Sequence, residues 1–327
     1  MAVAIAAKLD VRGLTVELPT ETGWVRPVND VSFLLAEGET LGIVGESGSG
    51  KTMLSLALMG LEPPGARHNG EAWIETRDRG RMNLVAAARE ELRKMRGRDI
   101  AMIFQEPMTA LDPVMRIGAQ VEEAIRVHDS SASTTEIGHR AIEALKRATV
   151  PEPERRARQY PHQLSGGLRQ RVMIAMALAP GPRILIADEP TTALDVTVQK
   201  QVLELLAELR RELRLSMLFI THDLGVVSQI ADRVMVMYAG RIVEEGPTAE
   251  VLRHPRHPYT EGLLRAAPRL ERGKLTPIRG TVPALSALPP GCSFGPRCDI
   301  HVSECDSAVP ALREVGAADH RVRCILA

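Results

Sequence analysis

The sequence has 327 residues and no net charge at pH 7, because 41 basic side chains balance 41 acidic ones. This balance predicts no global attraction to nucleic acid or to an anionic membrane surface. No apolar run approaches the roughly 20 residues that a membrane-spanning helix needs, and the apolar start of the chain lacks the basic region of a signal peptide. We therefore expect a cytosolic protein whose membrane contacts come through partner proteins.

Short apolar runs predict strands in the first hundred residues. Leu14, Val16 and Leu18 alternate with other residues, and residues 31–35 and 73–74 predict two further strands. The run at 41–44 has the continuous apolar character of a buried parallel strand. It leads directly into a glycine-rich segment, and the apolar residues behind that segment predict a buried helix that ends near Met59.

The glycine-rich segment fits the phosphate-loop pattern G-x-x-x-x-G-K-[ST]. Its glycines let backbone N–H groups approach phosphate oxygens, Lys51 supplies a positive charge to the phosphates, and the Thr52 hydroxyl is a ligand for Mg²⁺. The positive end of the following helix faces the same anion. The predicted nucleotide-binding residues are Gly45, Glu46, Ser47, Gly48, Ser49, Gly50, Lys51 and Thr52.

The next part of the sequence predicts a helical insertion. An apolar strand at 100–104 ends at Gln105, and residues 115–160 then change to a helical pattern. One helix runs from Glu136 to about Thr149, with Thr134 and Thr135 as its predicted caps.

Strands and helices alternate again after the insertion. Strand runs at 184–187 and 217–220 alternate with helices at 172–179 and 198–213, and residues 234–243 predict a hairpin. Repetition of this kind predicts an α/β fold with a mainly parallel sheet covered by helices.

Polar side chains follow three of the apolar strands. Asp188 can hold Mg²⁺, and Glu189 can orient or deprotonate an attacking water. The amide of Gln105 can ligate Mg²⁺ and contact the same water, and the imidazole of His222 can hydrogen-bond the γ-phosphate. Each residue taken singly is also compatible with a surface or structural role. The catalytic interpretation therefore depends on the set.

A second predicted anion site lies at Leu164, Ser165, Gly166 and Gly167, which open a helix. One chain thus has a single nucleotide loop but two helix N-termini that can bind phosphate. A head-to-tail pair of chains resolves this mismatch, because the Ser165 end of each chain would then cover the ATP of the other. Hydrolysis would need two chains and two ATP molecules.

In this order, the motifs resemble those of the ATP-binding subunit of an ABC transporter. Residues 45–52, Gln105, 164–167, Asp188-Glu189, 193–195 and His222 match its Walker A, Q-loop, signature, Walker B, D-loop and H-loop. The resemblance covers about residues 8–265. It implies a P-loop NTPase core, an antiparallel β subdomain, a helical subdomain at about 107–165 and dimerisation around ATP and Mg²⁺. It places Asp195 in the nucleotide site and an ATPase domain at 1–250.

Two positions fit the family pattern less clearly. Leu168 stands where the wider superfamily usually has Gln, so its side chain cannot hydrogen-bond nucleotide. Trp24 is the candidate for the aromatic side chain that stacks on adenine. The alternative for Trp24 is an exposed aromatic residue on an edge strand.

Finer details are similar to the dipeptide, oligopeptide and nickel import ATPases. They are residues 45–51, 104–113 and 160–167, and the segment His257-Pro258-Tyr259 that opens a C-terminal extension at 251–327. This similarity implies a peptide importer at the cytoplasmic face of the plasma membrane. Its partners are two membrane permease subunits, an extracytoplasmic solute-binding protein and often a second, non-identical ATPase. Import of nickel, glutathione or another small solute by the same machinery is the alternative.

A soluble, non-transport ABC ATPase is a further alternative. Those that act on ribosomes normally fuse two nucleotide domains, whereas this sequence has a single set of motifs. Those that act in DNA repair need a long coiled coil between Thr52 and Leu164, where the sequence shows no extended heptads.

The extension is rich in proline and contains all four cysteines, Cys292, Cys298, Cys305 and Cys324. Disulfides are not expected in a cytosolic protein. The spacing lacks the close C-x₂₋₄-C pairs of a zinc ribbon, whereas four cysteines can ligate a [4Fe–4S] cluster. The segment 291–298 resembles extensions that hold such a cluster in some members of the peptide branch. Four unrelated reduced thiols remain the other interpretation.

Overall fold

The computed structural model describes residues 7–21, 23–78, 80–105, 110–192, 194–266, 277–316 and 319–327. The apolar start of the chain up to residue 6 and the predicted beginning of the helical subdomain near residue 107 lie outside these ranges. Within them, no helix has both the length and the apolar character needed to cross a membrane.

Twelve strands are described. They are β1 (Ala7–Thr20), β2 (Gly23–Ala36), β3 (Thr40–Val44), β4 (Arg67–Thr76), β5 (Gly80–Asn83), β6 (Ile100–Ile103), β7 (Ile184–Asp188), β8 (Ser216–Thr221), β9 (Arg233–Tyr238), β10 (Arg241–Pro247), β11 (Arg313–Glu314) and β12 (Arg321–Val322).

Ten α-helices are described. They are α1 (Lys51–Met59), α2 (Arg89–Met95), α3 (Ile117–Arg126), α4 (Thr134–Arg147), α5 (Pro153–Ala157), α6 (Gly166–Leu178), α7 (Val196–Leu213), α8 (Leu224–Ile230), α9 (Thr248–Arg253) and α10 (Pro258–Ala266). Short 3₁₀ turns lie at Pro161–Gln163, Leu285–Ala287, Gly295–Arg297 and Ser303–Asp306.

The strands form two sheets. An antiparallel sheet has the order β2-β1-β4-β5, and a larger sheet has the order β11-β12-β10-β9-β3-β8-β7-β6. Within the larger sheet, β9, β3, β8, β7 and β6 run parallel. The described strands confirm the predicted α/β fold with a mainly parallel sheet. The carboxyl ends of β3, β6, β7 and β8 therefore lie along one edge, which is where ligands bind in open α/β sheets.

The parallel strands β3, β7 and β8 are buried along their whole length because helices and the antiparallel sheet cover the two faces. All five residues of β3, all five of β7 and all six of β8 are buried. One core packs α1 and the antiparallel sheet against one side, through residues such as Leu54 and Leu58. A second core packs α6, α7 and the helical insertion against the other side, through residues such as Val172 and Leu206.

The insertion is helical as predicted, but the predicted cap of α4 is wrong. Helix α4 begins at Thr134, and its cap is Ser133, whose hydroxyl accepts a hydrogen bond from the N–H of Glu136 at 3.2 Å. Thr134 and Thr135 lie inside the first turn. Neighbouring hydroxyl residues are interchangeable as caps by propensity, so their side chains alone do not decide which one starts the helix.

The C-terminal extension is joined to the larger sheet. Strand β12 pairs with β10, and β11 pairs with β12. The buried carboxylate of Glu244 on β10 accepts hydrogen bonds from the N–H groups of Arg256 and His257, and lies 2.8 Å from His320. These contacts hold two distant parts of the extension on one strand.

Candidate functional site

The phosphate loop connects the end of β3 to the start of α1. Gly50 caps the helix with a φ of 105°, which favours glycine, and no side chain caps the helix. A Cβ at Gly50 would clash with the carbonyl oxygen of Pro27, and one at Gly45 with that of Met237. Both glycines are therefore required by close backbone packing, which keeps the N-terminal N–H groups of α1 free of side chains.

Lys51 is the first residue of α1 and is 5% exposed, and its side chain folds back into the loop. Its Nζ donates to the carbonyl oxygens of Gly45 at 2.7 Å and Glu46 at 3.0 Å, and to the Ser49 hydroxyl at 3.2 Å. Burial lowers the pKa of the ammonium group, while the negative charges of Glu189, Asp188 and Glu46 raise it. Neutral oxygens thus hold the Lys51 ammonium group inside the loop. A bound anion would interact with this ammonium group more strongly than those neutral oxygens do.

Asp188 lies at the end of β7 with 1% of its surface exposed. Its Oδ1 is buried and has no hydrogen-bond partner. Burial raises the pKa of the carboxyl group to about 6, and the nearby Glu189 raises it further, while a hydrogen bond with Thr52 and the charge of Lys51 lower it. An unpartnered buried carboxylate oxygen beside a threonine hydroxyl is a donor set that fits Mg²⁺.

Glu189 gathers several of the predicted residues around one oxygen. Its Oε2 accepts from the Thr192 hydroxyl at 2.7 Å and from the amide of Gln105 at 3.3 Å, and lies 3.4 Å from Nδ1 of His222. Glu189 has a φ of 48°, uncommon for a residue with a side chain. Its N–H is bonded to the carbonyl of Ile220 at 2.9 Å.

The predicted signature residues lie at a different place. Ser165 caps α6 by accepting a hydrogen bond from the N–H of Leu168 at 3.4 Å, and Ser165 and Gly166 are exposed. The hollow beside them is lined by Thr149, Pro151, Leu168, Arg171, Leu194, Asp195, Val198 and Gln201, together with Gly167. In the described part of the chain, this lining contains no residue of the phosphate loop.

Asp195 is the cap of α7. Its Oδ1 accepts from the N–H groups of Thr197 and Val198, both at 3.0 Å. A Cβ on Gly167 would lie 2.7 Å from a methyl group of Val198, so the start of α6 packs closely on the start of α7. The neighbouring Ala193 of the predicted D-loop lies outside the described residues.

Trp24 lies on β2, and 42% of its surface is exposed. The guanidinium of Arg67 is 3.7 Å from the ring centroid, so one face of the indole is covered by a cation. Pro27, three residues further along the strand, contacts Gly50 through its carbonyl group. The ring is therefore on the segment that borders the phosphate loop.

The four cysteines are reduced, and Cys305 is buried. Burial raises the pKa of Cys292 and of Cys298 most, and the thiols of Cys305 and Cys324 raise both further. The N–H of Cys292 also donates to the carbonyl of Cys305 at 2.8 Å. Even so, in the ranges that the structure describes, no three His, Cys, Asp or Glu side chains are close enough to hold one metal ion.

The sequence missed three residues that contact the site. Thr192 bonds Glu189, and its position three residues after that carboxylate was an available signal. Arg297 and Tyr259 contact Glu46 of the phosphate loop from the C-terminal extension. No sequence signal could have found these two contacts, because they join residues 213 and 251 positions apart.

Two family models match the chain. One, described as ABC transporter, matches residues 28–192, and the other, described as the C-terminal region of the oligopeptide/dipeptide transporter, matches residues 243–305. A peptide import ATP-binding protein of Brucella melitensis biotype 1 is 50% identical over 327 residues, covering 97% of this chain and 96% of that protein. Another from Brucella abortus strain 2308 is 48% identical over 318 residues, with coverages of 97% and 94%.

Solved structures show the same fold. The dimeric structure of MJ0796, a bacterial ABC transporter cassette, has a TM-score of 0.64 at 31% identity and covers 73% of this chain and 98% of that one. The structure of cbiO1 from Clostridium perfringens, part of the ABC transporter complex cbiONQ, has a TM-score of 0.62 at 27% identity, with coverages of 76% and 91%.

The chain therefore belongs to the ABC transporter ATP-binding family and carries the C-terminal region of its oligopeptide/dipeptide branch. It is an ATPase of that family, for which ATP and Mg²⁺ are the general cofactors.

Proposed function

We propose that this protein hydrolyses ATP to power the import of peptides through a membrane ABC transporter. The convergence of Gln105 and His222 on one carboxylate oxygen of Glu189, beside Lys51 and Asp188, supports the ATPase site. The names of the Brucella relatives and the matched C-terminal region support peptides as the cargo. Nickel, glutathione or another small solute is the alternative cargo.

Each residue of the site has a proposed role. Lys51 and N–H groups at the start of α1 bind the phosphates, since Lys51 is a buried cation and no side chain caps that helix. Thr52, Asp188 and Gln105 hold Mg²⁺, which when bound neutralises phosphate charge. Glu189 orients or deprotonates the attacking water, and His222 hydrogen-bonds the γ-phosphate. Trp24 contacts the adenine through the ring face that Arg67 leaves free.

A second ATPase subunit completes the site. Ser165, Gly166, Gly167 and Asp195 lie together in an exposed hollow that lacks phosphate-loop residues among its described lining. We propose that this hollow covers the nucleotide of a homologous neighbour. The dimeric form of the similar MJ0796 cassette supports this arrangement.

An apolar hollow beside Gln105 supports docking of a permease. It lies between the parallel sheet and the helical insertion, and Phe104, which is 42% exposed, is part of its lining. Other lining residues are Met59, Leu61, Ala110, Met115, Met173 and Met176. A helix from a permease subunit is the proposed occupant, which would place this protein at the cytoplasmic face of the plasma membrane. An extracytoplasmic solute-binding protein would deliver the cargo.

The four cysteines are proposed to bind a [4Fe–4S] cluster. Among the described residues no three of these side chains are placed to hold one metal ion, but the N–H of Cys292 donates to the carbonyl of Cys305 at 2.8 Å, which brings two of the four residues together. A cluster is larger than a single ion and suits wider spacing. Cys₄ ligation is its usual donor set. The site lies in the extension, and a structural role is proposed for it.

Uptake by a reconstituted complex tests the transport function. The protein is purified with the membrane subunits that accompany it and is placed in vesicles with the solute-binding protein. Labelled dipeptides and oligopeptides should accumulate only with ATP, and labelled nickel or glutathione should not. Accumulation of nickel alone would reassign the cargo, and a lack of ATP-dependent accumulation of any of these solutes would contradict transport.

A further inference from the structure

The C-terminal extension contacts the phosphate loop through an ion pair. Nη1 of Arg297 lies 2.6 Å from Oε2 of Glu46, and Nη2 lies 3.1 Å from Oε1, so the pair is bidentate. The Arg297 side chain is 4% exposed, whereas that of Glu46 is 31% exposed. The hydrogen bond with Glu46 is the largest cause that raises the pKa of Arg297. Arg297 is therefore a fixed, buried cation behind a loop that binds anions.

A second contact from the extension reaches the same loop residue. The N–H of Glu46 donates to the hydroxyl of Tyr259 on α10 at 2.8 Å. Tyr259 is fully buried against Tyr238 and Phe294, with ring centroids 4.7 and 5.4 Å away. Both the main chain and the side chain of Glu46 are thus turned toward the extension.

Arg297 is itself held rigidly. Its Nε donates to the carbonyl of Arg279 at 2.8 Å, and it belongs to the turn Gly295–Arg297. The N–H of Gly295 bonds the carbonyl of Cys292, and the N–H of Cys298 bonds that of Gly295. A shift of the cysteine-containing turn would therefore move the guanidinium and, with it, Glu46 of the phosphate loop.

The charge of Glu46 explains why this contact matters for nucleotide binding. Glu46 is adjacent to the phosphate-binding N–H groups and is close enough to influence the pKa of Lys51. An unpaired carboxylate there would repel the phosphates of ATP and attract Lys51 away from them. The bidentate pair with Arg297 turns this carboxylate away and neutralises it.

We propose that Arg297 is a positioning residue for the phosphate loop, through which the C-terminal extension sets the affinity for ATP. This inference rests on the phosphate-loop role proposed above. Arg297 acts on ATP through Glu46 and does not contact the nucleotide.

The test is a double-mutant cycle on the full chain, with the ATP dissociation constant as the readout. Arg297→Gln should weaken ATP binding about tenfold, within the usual range of coupling between sites. Arg297→Gln/Glu46→Gln should recover most of that loss, because the unpaired carboxylate is gone. Arg297→Lys, which keeps the charge, should lie between Arg297→Gln and the wild type. The KM for ATP should rise in Arg297→Gln while kcat at saturating ATP stays close to the wild-type value.

Two controls separate the possible failures. Arg265→Gln makes the same change in the extension at an exposed pair with Glu261, and ATP affinity should not change. Lys51→Ala should weaken ATP binding whatever Arg297 does. If Lys51→Ala binds ATP normally, the proposed loop function is wrong. If Lys51→Ala loses affinity but Arg297→Gln does not, or if Glu46→Gln fails to rescue Arg297→Gln, only the role of Arg297 is overturned.

Discussion

Glu189 and His222 meet across the carboxyl ends of β7 and β8, with Nδ1 of the imidazole 3.4 Å from Oε2 of the carboxylate. The same oxygen is held by Thr192 at 2.7 Å. The N–H of Glu189 bonds the carbonyl of Ile220 on β8, so the two strand ends are connected by main chain as well as by side chains. Glu189 therefore has a defined position from which it can act on a water molecule.

Glu189→Gln should bind ATP but lose most hydrolysis. The amide keeps the size of the side chain and cannot accept a proton, and positioned general bases contribute about 10²- to 10⁴-fold to rate. Steady-state phosphate release and ATP binding measured on the same sample check this expectation. Glu204→Gln, on the exposed face of α7, is the matched control and should hydrolyse normally. Normal turnover in Glu189→Gln would refute the role of Glu189.

Asp188 should make the stability of the ligand-free protein fall as pH rises from about 4 to 6. Its pKa is raised from 3.8 to about 6 by burial, so in this window the folded protein keeps a proton that the unfolded chain has released. The full effect is about 3 kcal/mol above pH 6.

The difference between wild type and Asp188→Asn isolates this effect from other titrating groups. Between pH 5 and 7.5 the variant should gain about 1.5 kcal/mol of unfolding free energy relative to wild type, measured by urea denaturation. Mg²⁺ binding to wild type should weaken below about pH 6, since the ionised carboxylate of Asp188 is the proposed ligand. A pH-independent difference between the two proteins would contradict the raised pKa.

Ser165→Arg should prevent ATP-dependent dimerisation and hydrolysis without weakening ATP binding by the single chain. The exposed Ser165 is proposed to face the partner's nucleotide, and a long side chain there would block the approach. Size-exclusion chromatography with ATP, in the Glu189→Gln background, measures the dimer. Ser133→Arg is the control, because it removes the exposed cap of α4 just as Ser165→Arg removes the cap of α6. Each change should cost about 1 kcal/mol of stability, but Ser133→Arg should dimerise normally. A dimer of normal affinity in Ser165→Arg would exclude the proposed interface.

Anaerobically purified protein should contain iron and be brown, because an iron–sulfur cluster absorbs visible light. Cys305→Ser should lose both the iron and the absorption, because Cys305 is the buried cysteine of the four. Ser293→Ala, in the same turn region, should keep them. A colourless, iron-free and folded wild-type sample would exclude the proposed cluster. Stoichiometric zinc in the sample would show that the cysteines form a different metal site.

Part of the candidate site could be proposed from the sequence because its residues are adjacent in the chain. The proposed roles of Gly50, Lys51 and Thr52 depend on local main-chain conformation, so they could be proposed without knowledge of the fold. Asp188 and Glu189 could be recognised because they end a continuous apolar strand. The cap of α4 could not, since Ser133 and Thr134 have similar side chains and the start of the helix depends on packing.

The sequence by itself determined the order of the motifs along the chain: a glycine-rich loop, then a helix start with serine and glycine, then two acidic residues after a buried strand. Spacing and residue type are sufficient for these because their interactions are local. Only the tertiary structure decided that Arg297 would neutralise Glu46 from 251 positions away, and that Gln105, Thr192 and His222 would share one oxygen of Glu189. Such contacts depend on how strands pair and how the extension returns to the sheet, which no local pattern specifies.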